Sequence, residues 1–185
     1  MPDLPLASYD DVVFDFDGTL AHLEVDWSRL RNAVAEEFAE VARRCPSRGL
    51  GEMTALASEE GGWPARHRLA ALLRRFEQPT GSVRVAPIEA SLRAAGALPR
   101  FHVISNNLTS TVRMALAEIA PDARCVNVVG FDSSLRSKPA DDPFHVLSKA
   151  TPLGRSVAYV GDRSSDQAFA RACGLDFFHV SELCE

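Results

Sequence analysis

Apolar residues gather in five short runs, 11–16 (DVVFDF), 101–105 (FHVIS), 124–129 (RCVNVV), 156–160 (SVAYV) and 176–180 (DFFHV), each rich in branched or aromatic side chains. Runs of that length and composition predict buried strands. The last four are separated by helical patterns. After Asn107, Thr109 or Ser110 is placed to cap a helix whose apolar positions Val112, Leu116 and Ile119 recur at helical spacing. Asp142 followed by Pro143 predicts a cap and a first-turn proline, and Ser164 with Gln167 matches a capping box. Gly174 stands where a left-handed helix terminus belongs. Strands alternating with such helices imply right-handed crossovers, hence an α/β fold with a parallel sheet sandwiched by helices.

Residues 21–85 break the rhythm. Asp26 caps a segment carrying Trp27, Leu30, Val34, Phe38 and Val41 on one stripe, and a second segment repeats the idea with Leu69, Leu72, Leu73 and Phe76. Glycine-containing breaks at 49–51 and 61–62 divide the stretch, and no strand pattern stands out in it. The expected organisation is a core of residues 1–20 and 86–185 with an all-helical insertion at 21–85, whose return linker is roughly 78–87.

The chain of 185 residues is 46% hydrophobic and 24% charged, the composition of an ordinary globular protein. A formal charge of −5 argues against nucleic acid or an anionic membrane as partner. The cysteines at 45, 125, 173 and 184 form no CxxC pair, so reduced thiols and a cytoplasmic setting are expected. Neither a signal peptide nor a membrane span is expected from the hydropathy pattern.

Candidate chemistry collects where the strands end. In a parallel sheet, ligands bind outside the carboxyl ends of the strands. The first run ends in Asp15 and Asp17, the second in Ser105, Asn106 and Asn107, and the fourth runs into Gly161, Asp162 and Asp166, while Lys138 lies between the third and fourth. Side chains at i and i+2 of an extended strand share a face, so Asp15 and Asp17 can address one pocket. Gly18 then lets the backbone turn sharply. Two adjacent carboxylates repel unless a cation lies between them, and hard oxygen ligands in this arrangement suit Mg²⁺, with Asp162 completing the site.

The stretches DFDGTL (15–20), VISNN (103–107), SKP (137–139) and GDRSSD (161–166) resemble the four motifs of the haloacid dehalogenase (HAD) superfamily, in the family's order. The insertion after the first motif resembles the cap of its phosphoglycolate-phosphatase-like branch. The resemblance implies a Rossmann-like core and a Mg²⁺-dependent phosphatase acting on a small phosphorylated metabolite. It makes Asp15 the nucleophile that forms an aspartyl phosphate and Asp17 the general acid and base. Asp15, the Asp17 carbonyl and Asp162 would hold Mg²⁺, with Asp166 supporting the metal waters or orienting Lys138. Ser105 and Lys138 would bind the phosphoryl oxygens, with Gly18, Thr19, Asn106 and His22 beside the substrate.

Two departures from the family pattern leave readings open. Arg163 occupies a position where relatives more often carry Ser or Thr, and is either a solvated helix-start residue or a contact to substrate or metal loop. Ala21 and His22 replace a more usual Val-Asp, so His22 is a surface residue or a substrate contact. In the cap, Trp27 reads as core, whereas Trp63, Arg66 and His67 either face substrate or belong to a solvated helix. A phosphomutase with the same catalytic set, and a non-catalytic protein on this fold, are the competing functions. Sugar phosphates, phosphoglycolate and nucleoside monophosphates are equally open as substrates, and so are a monomer and a homodimer as the assembly.

Overall fold

The structure is a computed structural model that describes residues 5–47, 49–77, 82–83, 96–98, 100–122 and 124–184. Its centre is a parallel sheet of five strands: β1 (Asp11–Phe14), β4 (Phe101–Ile104), β5 (Cys125–Val129), β6 (Val157–Gly161) and β7 (Asp176–His179). The order is β5-β4-β1-β6-β7, with every neighbouring pair parallel. Connections leave β1 and its neighbours in opposite directions, so the strand order switches beside β1 and opens a crevice at the carboxyl edge.

Successive residues of the central strands face opposite layers, as a period of two demands. Val12 and Phe14 join Phe101, Val103, Val112 and Val160 on one side. Val13 joins Ile104, Val129, Leu147, Tyr159 and Phe169 on the other. The helices covering the sheet are α4 (Thr109–Ile119), α5 (Asp142–Ala150) and α6 (Ser164–Cys173).

The ends of these helices differ from the sequence expectation in instructive ways. Neither Thr109 nor Ser110 caps α4 with its own side chain: Leu108 is the capping residue, its N–H donates to Glu77 Oε2 at 3.0 Å, and Thr109 N–H donates to Asp132 Oδ1 at 2.9 Å. The first orphan donors are thus satisfied from outside the helix. Asp142 is the first residue of α5 rather than its cap. At α6 the capping residue is Arg163, and Asp166, not Gln167, reaches back to its N–H at 3.1 Å. Gly174 ends α6 in the left-handed conformation, φ 69°, as expected.

The insertion contains α1 (Trp27–Glu37), α2 (Ala39–Arg44) and α3 (Leu50–Glu77). Asp26 caps α1, accepting from Arg29 N–H at 2.9 Å. Gly62, at φ 56° and ψ −151°, kinks α3 at the anticipated break. These helices bury Leu30, Val34, Met53, Leu69 and Leu73 together with Leu108 and Phe131 of the core, so cap and core share one apolar cluster. A two-residue ribbon departs from the all-helical expectation: β2 (His22–Leu23) pairs antiparallel with β3 (Ser82–Val83), tying the entry of the insertion to its return. Two residues are too few to display a strand period. The rest of the 78–87 linker and the 85/86 boundary lie outside the described residues.

Among the described residues no helix is long and apolar enough to cross a membrane. Cys45, Cys125 and Cys173 are free thiols.

Candidate active site

The strand pairing of β1 stops at Phe14, one residue short of Asp15 and three short of Asp17, although Asp15 N–H still donates to Val160 C=O at 2.8 Å. The chain then closes a tight turn in which the N–H groups of Thr19, Leu20 and Ala21 converge on Phe16 C=O at 2.9–3.1 Å. Gly18 makes the turn possible on two counts. Its φ is 94°, and a Cβ there would lie 2.3 Å from Asp162 Oδ2. The first and fourth motifs are thereby brought into contact through a position that no larger residue fits.

Lys138 is the centre of the site. Its Nζ donates to Asp15 Oδ1 at 2.5 Å, to Asp166 Oδ1 at 2.6 Å and to the Tyr159 hydroxyl at 2.6 Å, and the side chain is almost wholly buried. Asn106 brackets the loop behind it: Lys138 N–H donates to Asn106 Oδ1 at 3.1 Å and Asn106 Nδ2 donates to Lys138 C=O at 3.3 Å. A buried charge without partners is very costly, and the two carboxylates compensate this one. Burial alone pulls the Lys138 ammonium down, but Asp15 and Asp166 outweigh it and the net shift is upward. Burial raises the Asp15 carboxyl to about 7, opposed by Lys138 and reinforced by Asp166. Tyr159 is pushed well above the usual phenol range, chiefly by burial, and stays a neutral hydroxyl.

Ser105 sits beside this group at the end of β4. Its hydroxyl donates to Asn107 Oδ1 at 2.9 Å and accepts from Asn107 N–H at 3.1 Å. Asn107 is oriented in turn by Glu77, whose Oε1 accepts from Asn107 Nδ2 at 3.1 Å. Asp17 accepts from Leu23 N–H through Oδ1 at 2.8 Å, and its Oδ2 lies 3.4 Å from Arg163 Nη2.

Asp15, Asp162 and Asp166 each offer one oxygen within 4.8 Å of the others. Asp162 Oδ1 is shielded from solvent and has no hydrogen-bond partner. An orphaned carboxylate oxygen on a member of an acidic cluster fits a hard cation such as Mg²⁺. Burial raises the Asp162 carboxyl, with Arg163 opposing it, so a further positive charge would be welcome there.

These side chains line a cavity of about 690 Å³ between core and cap, with Asp15, Asp17, Ser105, Asn106, Lys138 and Asp166 on its floor. Three residues expected beside the substrate are placed otherwise: Gly18, Thr19 and His22 do not line the cavity. Gly18 N–H is taken by Ala21 C=O, Thr19 is buried with its hydroxyl 3.5 Å from Asp15 Oδ2, and His22 is an exposed residue of the ribbon, its Nδ1 3.7 Å from Asp17 Oδ1. Trp27, read as core, lines the cavity while packing on both apolar clusters. Trp63, Arg66 and His67 do not line it. Arg66 is instead fully buried, its guanidinium 3.2 Å from the centre of the Phe131 ring and donating to Phe131 C=O at 2.5 and 2.9 Å and to Ser137 Oγ at 2.6 Å. Glu77 and Tyr159 carry no functional signal in the sequence, and Arg66, buried rather than facing substrate or solvent, carries a misleading one, because each takes its place from partners distant along the chain.

A family model described as haloacid dehalogenase-like hydrolase matches residues 12–180. The chain belongs to the haloacid dehalogenase-like hydrolases. It falls in their phosphoglycolate-phosphatase-like branch and is an enzyme of the phosphatase class. A phosphoglycolate phosphatase of Cereibacter sphaeroides is 32% identical over 92% of this chain and 84% of its own length. The fold is shared with a Haemophilus somnus protein described as a predicted phosphoglycolate phosphatase (TM-score 0.57, 17% identity, 91% of this chain and 84% of the other). It is also shared with CbbY of Rhodobacter sphaeroides, solved in complex with phosphate (TM-score 0.51, 15% identity, 92% of this chain and 85% of the other).

Proposed function

We propose that this HAD phosphatase hydrolyses a small phosphomonoester through an aspartyl phosphate on Asp15, with Mg²⁺ as cofactor. The observation that carries the reading is the Lys138 ammonium between Asp15 and Asp166, at 2.5 and 2.6 Å, beside the Ser105 hydroxyl and the unpartnered Asp162 oxygen.

In this reading Asp15 attacks phosphorus in line as the ester oxygen departs, and the charge that builds on the phosphoryl oxygens meets Lys138 and Ser105. Lys138 is fixed before substrate arrives, so little reorganisation accompanies the reaction. Ser105 turns its proton from Asn107 Oδ1 to a phosphoryl oxygen. Asp17, with Oδ1 held by Leu23 N–H, gives a proton to the leaving oxygen and then takes one from the water that cleaves the aspartyl phosphate. Asp15, Asp162 and the Asp17 carbonyl would hold Mg²⁺, with Asp166 supporting it. Bound there, the ion neutralises the repulsion between nucleophile and phosphate. The relatives named for phosphoglycolate make that ester the first substrate to try. A small phosphorylated metabolite, rather than nucleic acid or a membrane, is the partner this cavity suits.

The test is phosphate release from a panel of phosphomonoesters with and without Mg²⁺, with Asp15→Asn as control and acid quenching to trap the aspartyl phosphate. Mg²⁺-dependent release by the wild type alone supports the reading. Equal inactivity of both proteins across the panel overturns it, and rearranged esters with no free phosphate would make the enzyme a mutase.

A further inference from the structure

The cavity wall is divided by charge. From the cap come the apolar side chains Leu50, Ala55 and Leu73 and the acidic Glu52 and Glu59. Among the described lining residues the cations are Arg136, Lys138 and Arg163, all from the core. Two of them are committed. Lys138 is buried among Asp15, Asp166 and Tyr159, and Arg136 is clamped by Asp142, with Nη2 at 2.6 Å and Nε at 3.1 and 3.2 Å.

Arg163 differs. Its root is fixed, because its N–H donates to Asp166 Oδ2 as the capping residue of α6. Its tip is not: the side chain is 59% exposed, and its carboxylate contacts, Nη2 to Asp17 Oδ2 and Nε to Asp162 Oδ2, are 3.4 and 3.5 Å. Charge-assisted hydrogen bonds are shorter, about 2.7–2.9 Å, so neither contact saturates the guanidinium. The position of the tip matters as well, since it stands beside Asp17, the group assigned to the leaving oxygen.

We propose that Arg163 is the specificity-determining residue, pairing with a carboxylate on the leaving group of the phosphomonoester. The proposal rests on the phosphatase reading above and adds where substrate charge is recognised: on the loop after β6 of the core, not on the cap. The acidic lining residues Asp17, Glu52 and Glu59 repel a carboxylate, and of the three described lining cations Arg163 is the one beside Asp17 whose contacts are long enough to leave it available. The planar guanidinium fork suits a carboxylate in two-point contact, which a lysine or a hydroxyl residue at this position cannot reproduce. Neutral leaving groups gain nothing from it, so the same residue separates anionic from neutral esters.

The test compares kcat/KM for 2-phosphoglycolate with kcat/KM for ethyl phosphate, an alkyl ester that needs the same protonation of its leaving oxygen but has no carboxylate. The ratio of the two cancels any effect on the shared phosphoryl chemistry. Arg163→Met lowers it roughly 10- to 100-fold, the range expected for loss of a charged hydrogen-bonded contact, and Arg163→Lys lowers it by an intermediate factor. Arg163→Gln, which keeps a polar side chain of similar length, falls with Arg163→Met and guards against a packing effect. A ratio changed less than about threefold in both Met and Gln variants overturns the proposal. So does a wild type that hydrolyses ethyl phosphate but not 2-phosphoglycolate, and in both cases the phosphatase reading stands. A wild type that hydrolyses neither ester, nor any other of the panel, removes both.

Discussion

Glu77 and Asn107 join the end of the cap's long helix to the strand-end loop that carries Ser105. Asn107 Nδ2 donates to Glu77 Oε1 at 3.1 Å, and Glu77 Oε2 takes the Leu108 N–H at the start of α4. Burial raises this carboxyl, and the hydrogen bonds from Leu108, Thr111 and Asn107 oppose the rise. Glu77→Gln places an amide donor where the carboxylate now accepts from Leu108 N–H or from Asn107 Nδ2. We expect a loss of roughly 1–3 kcal/mol of stability, the cost of a buried group left unsatisfied. Asn107 would also hold Ser105 less firmly, so kcat should fall about tenfold with KM changed less; thermal melts and steady-state kinetics check both, and an equal rise in KM would contradict the relay through Asn107.

Lys138→Met is expected to do two kinds of damage. Removing the ammonium leaves Asp15 and Asp166 buried side by side without their cation, and breaking a buried pair costs about 3–5 kcal/mol. It also removes a preorganised donor, for a loss on the order of 10²-fold or more in kcat. Calorimetry and single-turnover phosphate release measure the two separately. Retention of near-wild-type kcat would show that Lys138 is structural only.

Arg66 offers a test of the seam between cap and core. Burial lowers its guanidinium to about 10, still charged at neutral pH, and its hydrogen-bond partners are a carbonyl and hydroxyls. Arg66→Met keeps the bulk over Phe131 while leaving Phe131 C=O and Ser137 Oγ without their donor. A destabilisation of roughly 2–4 kcal/mol is expected from the unsatisfied acceptors and the lost cation–π contact. Limited proteolysis within the insertion should accelerate in the variant, and unchanged cleavage would argue that the apolar cluster alone closes the seam.

His102 predicts a pH dependence far from the active site. It is fully buried on β4, its Nε2 3.2 Å from Asp11 Oδ1, and burial holds its pKa below the usual value while Asp11 opposes the shift. With a folded pKa below the unfolded one, the unfolded chain binds more protons, so stability rises with pH. The contribution is complete above the unfolded value, about 6.5, and is lost as pH falls below it toward the folded value. The melting temperature should therefore drop between pH 7.5 and 5.5 more steeply in wild type than in His102→Gln. Parallel slopes would remove His102 as the cause.

What could be read in the sequence was what local pattern determines. Val12 to Phe14 declare a buried strand, which ends two residues sooner than the apolar run, and Asp15, Asp17, Ser105, Lys138 and Asp162 declare themselves as polar residues at strand ends where a parallel sheet gathers its ligands. Glu77 is not legible in the sequence because a glutamate at the end of an amphipathic helix is ordinarily solvated, and only the docking of the cap buries it. Arg66 looks identical to its exposed neighbour Arg68 until Phe131 is folded over it. The caps of α4 and α6 differ from the local pattern for a similar reason: Asp132 is remote in sequence from the helix it serves, and Asp166 serves the site and the helix end together.

Leu108 and Phe131 belong to the core by sequence and to the cap by packing. The insertion is therefore not a cassette. Excising it to obtain a minimal domain would strip the apolar cover from both residues, remove the Glu77 acceptor from the first turn of α4 and open the loop leading to Lys138. A family in which insertions are exchanged between otherwise similar domains would, at this junction, have to exchange Leu108 and Phe131 with them.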